Sequence, residues 1–256
     1  MHFTDAQLIG WLQQFIWPLA RIGSALMIAP VLGSGRVSPR IRMTLAMLTT
    51  LLIAPSLPPP PVAELFASIW WATLLREMAI GLLIGFTLQI VFEAVMFGGE
   101  LISASSSLSF ATLADPLRGM STPVVGQFLT LTATLLFLAL GGHLQFLQWL
   151  ARSFGSLPVG GTGPEQAQLL QLLRFGGEIF SGGLMLALPV LVALLAINLA
   201  LGVISRSAPS LNLFAVGFPL GLIACLVLLY VAMPAMLEKI GGLFDQGWLA
   251  LASWTQ

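Results

Sequence analysis

Polar and ionisable side chains interrupt the third long apolar stretch of this chain. Gln89, Glu93 and Glu100 are separated by four and seven residues, and both spacings return to the same face of a helix. Arg76 and Glu77 lie earlier in the same stretch. Because unpaired charges inside a membrane segment are costly, such residues face partners, water or one another. The pattern is compatible with ion pairs between helices, with the lining of a polar conduit and with a proton relay.

A second pair of charges lies in the fifth apolar stretch. Arg174 and Glu178 are four residues apart, although arginine before glutamate is the less favourable order on a helix. We interpret this pair as structural. The intramembrane charges that we expect to contact other helices or other subunits are Arg76, Glu77, Glu93, Glu100, Arg174 and Glu178.

Residues for catalysis are scarce. The sequence contains no Gly-x-Ser-x-Gly elbow, phosphate-binding loop, His-Glu-x-x-His helix or dinucleotide-binding glycine pattern. Asp115 and His143 could form a triad with a serine of the 103–109 stretch, yet that stretch is more simply a flexible hinge. The single Cys225 excludes an intrachain disulfide and a cysteine-based zinc site. We predict that the chain is not an enzyme and that it has no cofactor or metal.

The composition is that of a membrane protein. Of the 256 residues, 57% are apolar and 8% are charged, against about 25% charged in soluble domains. Ten basic residues balance ten acidic residues, and no block of like charge marks a surface for nucleic acid. Runs without charge span 43–63, 119–151, 179–205 and 207–237, whereas a helix that crosses a bilayer needs about 20 residues. We predict an all-α, polytopic membrane protein.

About six long helical segments position these residues. The first covers 5–30, carries Arg21 near its middle and has no cleavage signal, so we expect a retained helix. The second covers 43–57 and ends at four prolines. The third covers 62–103 and exceeds the membrane thickness, which predicts a break or kink at Gly98-Gly99.

The second half begins with a long loop over 105–123, and loops of that length are usually functional or disordered. The fourth segment covers 124–150 and is followed by a linker rich in glycine and proline over 155–164. The fifth covers 165–204 with an expected kink at Pro189, and the sixth covers 214–237. Phe244, Trp248 and Trp254 in the remaining tail are typical of an interfacial anchor.

Small residues recur at helical spacing along these segments. In lipid, such spacing lets helix backbones approach closely, either within the chain or between subunits. The three examples are Gly81-xxx-Gly85, the 177–183 stretch and Gly217-xxx-Gly221.

The arginines favour one orientation in the membrane, because basic residues accumulate on cytoplasmic loops. We place the loops that contain them in the cytoplasm and both termini outside. Those arginines are Arg36, Arg40 and Arg42 after the first segment, Arg118 in the long loop and Arg206 after the fifth segment.

Two stretches of the chain resemble the FliR family. The first contains Gly99-Glu100, Ser109-Phe110-Ala111-Thr112, Asp115-Pro116 and Gly119-Met120-Ser121-Thr122-Pro123. The second and more specific stretch is Pro209-Ser210-Leu211-Asn212 with Gly217-Phe218-Pro219. The length of the chain, its apolar segments and its early arginine-containing loop also agree with this family from end to end.

This resemblance implies a core subunit of the flagellar type III protein-export gate, located at the flagellar basal body in the bacterial inner membrane. It implies a helical hetero-oligomer with FliP-like and FliQ-like subunits, an FlhB-like partner and unfolded exported proteins as cargo. The implied fold is a FliP-like helical hairpin unit over 1–164, a FliQ-like hairpin over 165–237 and a C-terminal tail over 238–256, all within one membrane domain.

The resemblance also implies two functional loops. In an export channel a mobile loop can block the lumen at rest, and the 105–123 loop lies where the family has its plug. The proposed plug residues are Phe110, Leu113, Asp115, Pro116, Gly119 and Met120. The second loop is a cytoplasmic hairpin tip that meets the FlhB-like subunit, and its residues are Arg206, Pro209, Leu211, Asn212 and Phe214.

Three other functions remain open at this point. A virulence-type injectisome has an export subunit of the same kind. A small-solute transporter would bind ions at the intramembrane charges, but it predicts internal repeats, and we find none that is convincing. A membrane-embedded enzyme would need convergent catalytic groups.

Overall fold

The chain folds into helices. A computed structural model describes residues 4–35, 37–60, 63–106, 123–207 and 213–254, and within these ranges the regular structure is helical. This confirms the predicted all-α membrane class. The α-helices are α1 (Asp5–Ile28), α2 (Pro39–Ile53), α3 (Ser68–Ser105), α4 (Val124–Ala139), α5 (Gly142–Ser156), α6 (Gln166–Phe175), α7 (Glu178–Ser207) and α8 (Leu213–Trp254).

Several described helices are long and apolar enough to cross a membrane. Three such spans are Ser68–Ser105, Gln166–Ile204 and Pro219–Ser253, and α4 with α5 gives a fourth if the two count as one broken span. The first segment, with Arg21 near its middle, is not among these candidates in the described part of the chain.

Local sequence explains where the helices begin and end. The Thr4 backbone N–H donates to Gln7 Oε1 at 3.1 Å, and the Glu165 N–H donates to Gln168 Oε1 at 2.7 Å. Both contacts satisfy a donor that a helix start leaves free. Pro39 opens α2, where its missing N–H has no consequence.

The chain forms two compact units. The first contains residues 1–90, 141–176 and 246–256, and its buried side chains include Trp17, Ile22, Leu26, Phe146 and Leu150. The second contains residues 91–140 and 177–245.

Three aromatic rings mark the core of the second unit. Phe92 lies 5.7 Å from Phe137 between ring centroids, and Phe244 lies 5.5 Å from each of them. These separations suit edge-to-face and tilted ring packing.

The expected break at Gly98-Gly99 is absent, since α3 is helical from Ser68 to Ser105. The two glycines serve close helix packing instead. A Cβ atom at Gly99 would lie 2.4 Å from the Cα of Gly126 in α4, and one at Gly98 would lie 2.8 Å from the Gly183 carbonyl oxygen in α7. The glycine pair therefore marks a close helix contact, and the helix is not interrupted there.

The fourth and fifth predicted segments each consist of two helices. α4 ends at Ala139 and α5 begins at Gly142, because Gly141 adopts a left-handed conformation with φ of 70°. α6 ends at Phe175, and α7 begins at Glu178 after Gly176-Gly177. Within α7 the helix continues through Pro189.

The predicted interfacial anchor in the C-terminal tail is wrong for Phe244 and Trp248. α8 continues to Trp254 instead of ending near residue 237. Phe244 is 2% exposed and belongs to the aromatic core, and Trp248 is buried as well. The four-residue spacing of Phe244 and Trp248 therefore reflects a buried helix face.

Candidate functional site

A close contact between α1 and α3 organises the first unit. A Cβ atom at Gly81 would lie 2.0 Å from the Arg21 carbonyl oxygen and 2.2 Å from Ser24 Oγ. At Gly85 it would lie 2.6 Å from the Ala25 carbonyl oxygen. The predicted small-residue contact is thus confirmed for Gly81 and Gly85 as a contact within the chain, and it brings the polar side chains of the two helices together.

Arg21 and Glu77 form an ion pair at this contact, and both side chains are fully buried. Arg21 Nε donates to Glu77 Oε2 at 2.7 Å, and Nη2 lies 2.6 Å from the same oxygen. The short distances are those of charge-assisted hydrogen bonds. The other carboxylate oxygen, Oε1, has no hydrogen-bond partner among the described residues.

The remaining Arg21 donors bind the end of α5. Nη1 donates to the Ser153 carbonyl oxygen at 3.0 Å and to Ser153 Oγ at 3.2 Å. Nη2 donates to the Leu157 carbonyl oxygen at 2.7 Å. The guanidinium carbon also lies 4.2 Å from the centroid of the Phe154 ring, within cation–π range.

We call Arg21, Glu77, Ser153, Phe154 and Leu157 the arginine network. It links three helices that are distant in sequence, and its cation lies where a helix terminus presents carbonyl groups, which is electrostatically favourable. A buried and nearly saturated guanidinium has little capacity to bind a substrate or an ion. The geometry therefore suits a structural link between helices.

Arg76 lies beside this network and is half-buried. Its Nη1 donates to the Gly161 carbonyl oxygen, and its Nε is buried without a hydrogen-bond partner in the described chain. A cavity of about 260 Å³ borders it, and Trp17, Thr73 and Gly160 also line this cavity.

The other predicted intramembrane charges lie apart from the arginine network. Glu93 is exposed and Glu100 is half-buried, both on α3 within the second unit. Arg174 is exposed in the last turn of α6, and Glu178 begins α7. The break at Gly176-Gly177 means that Arg174 and Glu178 do not share one continuous helix, contrary to the prediction.

The two predicted functional loops fall mostly outside the described residues. All six plug residues belong to the 107–122 stretch, which the described ranges omit. Of the hairpin-tip residues, Arg206 is exposed near the end of α7, and Phe214 lies in the first turn of α8. Pro209, Leu211 and Asn212 lie outside the described residues.

The surface of the chain carries extensive apolar faces. The uncharged stretch of α7 exposes a row of large apolar side chains, and α2 and α8 do the same. Such faces are larger than monomeric soluble proteins expose and need lipid or other subunits as cover. The α7 row consists of Phe180, Leu184, Met185, Leu188, Val192, Leu195, Leu199 and Val203.

A cavity of about 500 Å³ in the second unit is apolar as well. Its lining comes from α4 and α8 and includes Val124, Phe128, Leu226, Tyr230 and Met233. Apart from the Tyr230 hydroxyl this lining offers no side-chain ligand for an ion, which disfavours the transporter hypothesis at this place. Among the described residues no group of three His, Cys, Asp or Glu side chains forms a metal site.

The sequence interpretation missed the centre of the arginine network. Arg21 was noted only as a charge in an apolar helix, and Ser153, Phe154 and Leu157 were not singled out. A usable signal was present, because Arg21 is the one lysine or arginine between residues 8 and 32 and Glu77 lies one turn before Gly81. A charge of each sign next to a small-residue contact indicates a buried pair.

Comparison with known proteins shows which protein family the chain matches. The family model described as "Bacterial export proteins, family 1" matches residues 12–247. The chain is 40% identical to the flagellar biosynthetic protein FliR of Escherichia coli (strain K12), over 96% of this chain and 94% of that protein. It is 39% identical to the protein of the same name from Pectobacterium carotovorum subsp. carotovorum, with the same coverage, and 25% identical to that of Bacillus subtilis (strain 168) over 90% of each chain.

Proposed function

The chain belongs to family 1 of the bacterial export proteins, and we propose that within the flagellar export apparatus it is a structural core subunit of the export gate. That the chain is a component of the flagellar type III protein-export apparatus follows from its membership and its flagellar relatives. The observation that carries the proposal is the end-to-end correspondence, 40% identity over 96% of the chain.

The arrangement of charge supports a structural rather than a catalytic role. The most buried charges, Arg21 and Glu77, bind each other and backbone carbonyl groups. Neither residue lines either of the two cavities described above. Their chemistry fixes helices in place, which is what a wall-forming subunit requires.

The exposed apolar faces support an assembly with other subunits that have apolar helix faces of their own. We propose that FliP-like and FliQ-like helices cover the row on α7 and the corresponding row on α8, and that an FlhB-like subunit meets the hairpin tip around Arg206. Helices of this kind present apolar side chains and small residues to one another. The proposed site of assembly is the bacterial inner membrane, where unfolded flagellar proteins are exported.

The 105–123 loop is proposed as the plug of the gate. It connects α3 to α4, and its apolar members Phe110 and Leu113 suit a lumen, while Asp115-Pro116 and Gly119 suit turns. This proposal rests on the sequence and on the family resemblance alone.

Complementation tests the proposed function. The chain is expressed in an Escherichia coli strain that lacks its own FliR, and swimming in soft agar is measured together with the flagellin secreted into the medium. We expect both to be restored, because the two proteins align over nearly their whole length. Normal membrane levels of the chain without swimming or secretion would contradict the proposal.

Co-purification tests the proposed partners. The tagged chain is expressed with the FliP-like and FliQ-like subunits of the same bacterium and extracted in mild detergent. We expect one complex that contains all three chains, and a chain that aggregates or is degraded when expressed alone. A stable, monodisperse monomer would contradict the assembly role.

A further inference from the structure

Pro189 leaves one carbonyl group of α7 without its helical partner. In an α-helix the N–H of residue 189 would donate to the carbonyl oxygen of residue 185, but proline has no N–H. Pro189 lies inside α7, which is helical on both sides of it. The Met185 carbonyl is therefore the acceptor that α7 cannot satisfy by itself.

Lys239 of α8 donates a hydrogen bond to that carbonyl group. Its Nζ donates to the Met185 carbonyl oxygen at 2.6 Å, a short distance for a charge-assisted hydrogen bond. The two residues are 54 positions apart, and both belong to the second unit. Lys239 lies just beyond the predicted 165–237 hairpin, because α8 continues past residue 237, and the contact joins α7 to α8 away from the hairpin tip.

Neighbouring contacts show that α7 and α8 are in register here. One turn before Met185, a Cβ atom at Gly182 would lie 2.7 Å from Leu243 Cδ2. Leu243 is in turn one helical turn after Lys239, and Ile240 beside it is fully buried. The lysine therefore reaches the free carbonyl from a helix that is already packed against α7.

The surroundings make this hydrogen bond important. Phe180, Leu184 and Leu188 expose apolar side chains around Met185, so the carbonyl lies on an exposed apolar face that the proposed assembly would place against lipid or a partner helix. In apolar surroundings a carbonyl group without a hydrogen bond destabilises the folded helix. Lysine supplies a donor on a long, flexible side chain, and its stem packs over apolar surface.

We infer that Lys239 is a positioning residue that replaces the missing Pro189 donor and so holds α7 and α8 together as one hairpin. Pro189 and Lys239 then form a functional couple, because the lysine is needed only as long as the proline is present. The consequence for export rests on the proposed function, whereas the consequence for the hairpin rests on the structure alone.

Hydrogen–deuterium exchange of the complex that contains this chain measures the effect directly. A hydrogen bond to a charged group corresponds to about tenfold or more in an equilibrium constant. In Lys239→Met we expect the amides of the α7 turns around Pro189 to exchange about tenfold faster. Lys239→Arg keeps a donor and should exchange like the wild type.

Suppression separates this mechanism from a general need for the lysine. Pro189→Ala restores an N–H to the Met185 carbonyl, so the double variant Pro189→Ala/Lys239→Met should return to wild-type exchange and swimming. Pro234→Ala, which restores a donor elsewhere on α8, is the matched control and should not suppress Lys239→Met. Glu238→Gln, next to the lysine and exposed, should have no effect.

Each result of these exchange and suppression experiments either supports or overturns the inferred role of Lys239. Unchanged exchange in Lys239→Met, or a failure of Pro189→Ala to suppress it, would overturn the inference. If Lys239→Met does not assemble at all, assembly of the double variant supports the inference and its failure overturns it. If wild-type chain does not restore swimming but the exchange pattern is as expected, the proposed function fails and the hairpin couple stands.

Discussion

The ion pair between Arg21 and Glu77 gives a sharp test of the first unit, because its two partners have different secondary contacts. Glu77 accepts only from Arg21 among the described residues, whereas Arg21 also binds the Ser153 and Leu157 carbonyl groups. Single and double replacements should therefore have different, calculable effects on stability.

Removing one charge leaves the other buried and without a counterion. Glu77→Gln keeps the size of the side chain, but it leaves Arg21 fully buried with neutral acceptors only. Breaking a buried pair in this way destabilises a protein by about 3–5 kcal/mol. Arg21→Met leaves the Glu77 carboxylate buried and should be destabilised at least as strongly.

Removing both charges should restore part of the loss. In Arg21→Met/Glu77→Met no buried charge remains, and apolar replacement of a buried ion pair is often neutral or stabilising. The Ser153 carbonyl oxygen still accepts a hydrogen bond from the Leu157 N–H at 2.9 Å. The Leu157 carbonyl oxygen, in contrast, loses the donor that Arg21 supplies. One unsatisfied carbonyl costs about 1–3 kcal/mol, so the double variant should be more stable than either single variant.

The assay is the thermal midpoint at which the co-purified complex with FliP-like and FliQ-like subunits dissociates in mild detergent. Arg152→Gln is the matched control, because Arg152 is an exposed arginine of the same unit. We expect midpoints in the order wild type and control, then the double variant, then the two single variants. A Glu77→Gln complex as stable as the wild type, or a double variant less stable than both single variants, would refute the reasoning.

Three further predictions concern other elements. Gly81→Ala should destabilise the complex by about 1–3 kcal/mol, because its Cβ collides with the backbone of Arg21 and α1 must move; Gly23→Ala, with open space around it, is the control and should be neutral or stabilising in the same assay. Deleting residues 110–114 should leave the complex assembled and raise ion conductance across planar bilayers, and normal assembly with wild-type conductance would rule out the plug. Ser207→Cys in a Cys225→Ser background should stay unlabelled by a membrane-impermeant maleimide in cells that have a permeabilised outer membrane and an intact inner membrane, and labelling there would contradict the predicted orientation.

The sequence predicted the class of protein and most helix positions, since both depend on local composition. The α1 prediction, 5–30, lies close to the observed Asp5–Ile28, and the third segment lies close to Ser68–Ser105. Helix ends are predicted less well at glycine residues, because a glycine can either end a helix or let another helix approach closely. Gly141 breaks a helix, whereas Gly98 and Gly99 let other helices approach, and the sequence around each does not distinguish these uses.

The arginine network was not predictable as a unit. Arg21 and its partners are separated by 56, 132 and 136 positions, and nothing local to Arg21 specifies them. Glu77 was identified as a charge that needs a partner, because that requirement follows from burial alone. The identity of the partner depends on how α1 and α3 cross, which Gly81 and Gly85 set through contacts that only the folded chain displays.

A chain with apolar side chains on nearly every helix face has a problem of register, because hydrophobic burial is non-directional. Sliding α1 along α3 by one turn would exchange one set of apolar contacts for another. The arginine network and Gly81 remove that freedom, since Arg21 reaches Glu77 and the α5 carbonyls together in one register and Ser24 fits only against a residue without a side chain. Our hypothesis is that the buried pair is retained for this specificity more than for stability. A subunit of the proposed export gate would present the same faces to several neighbours and would therefore need one register.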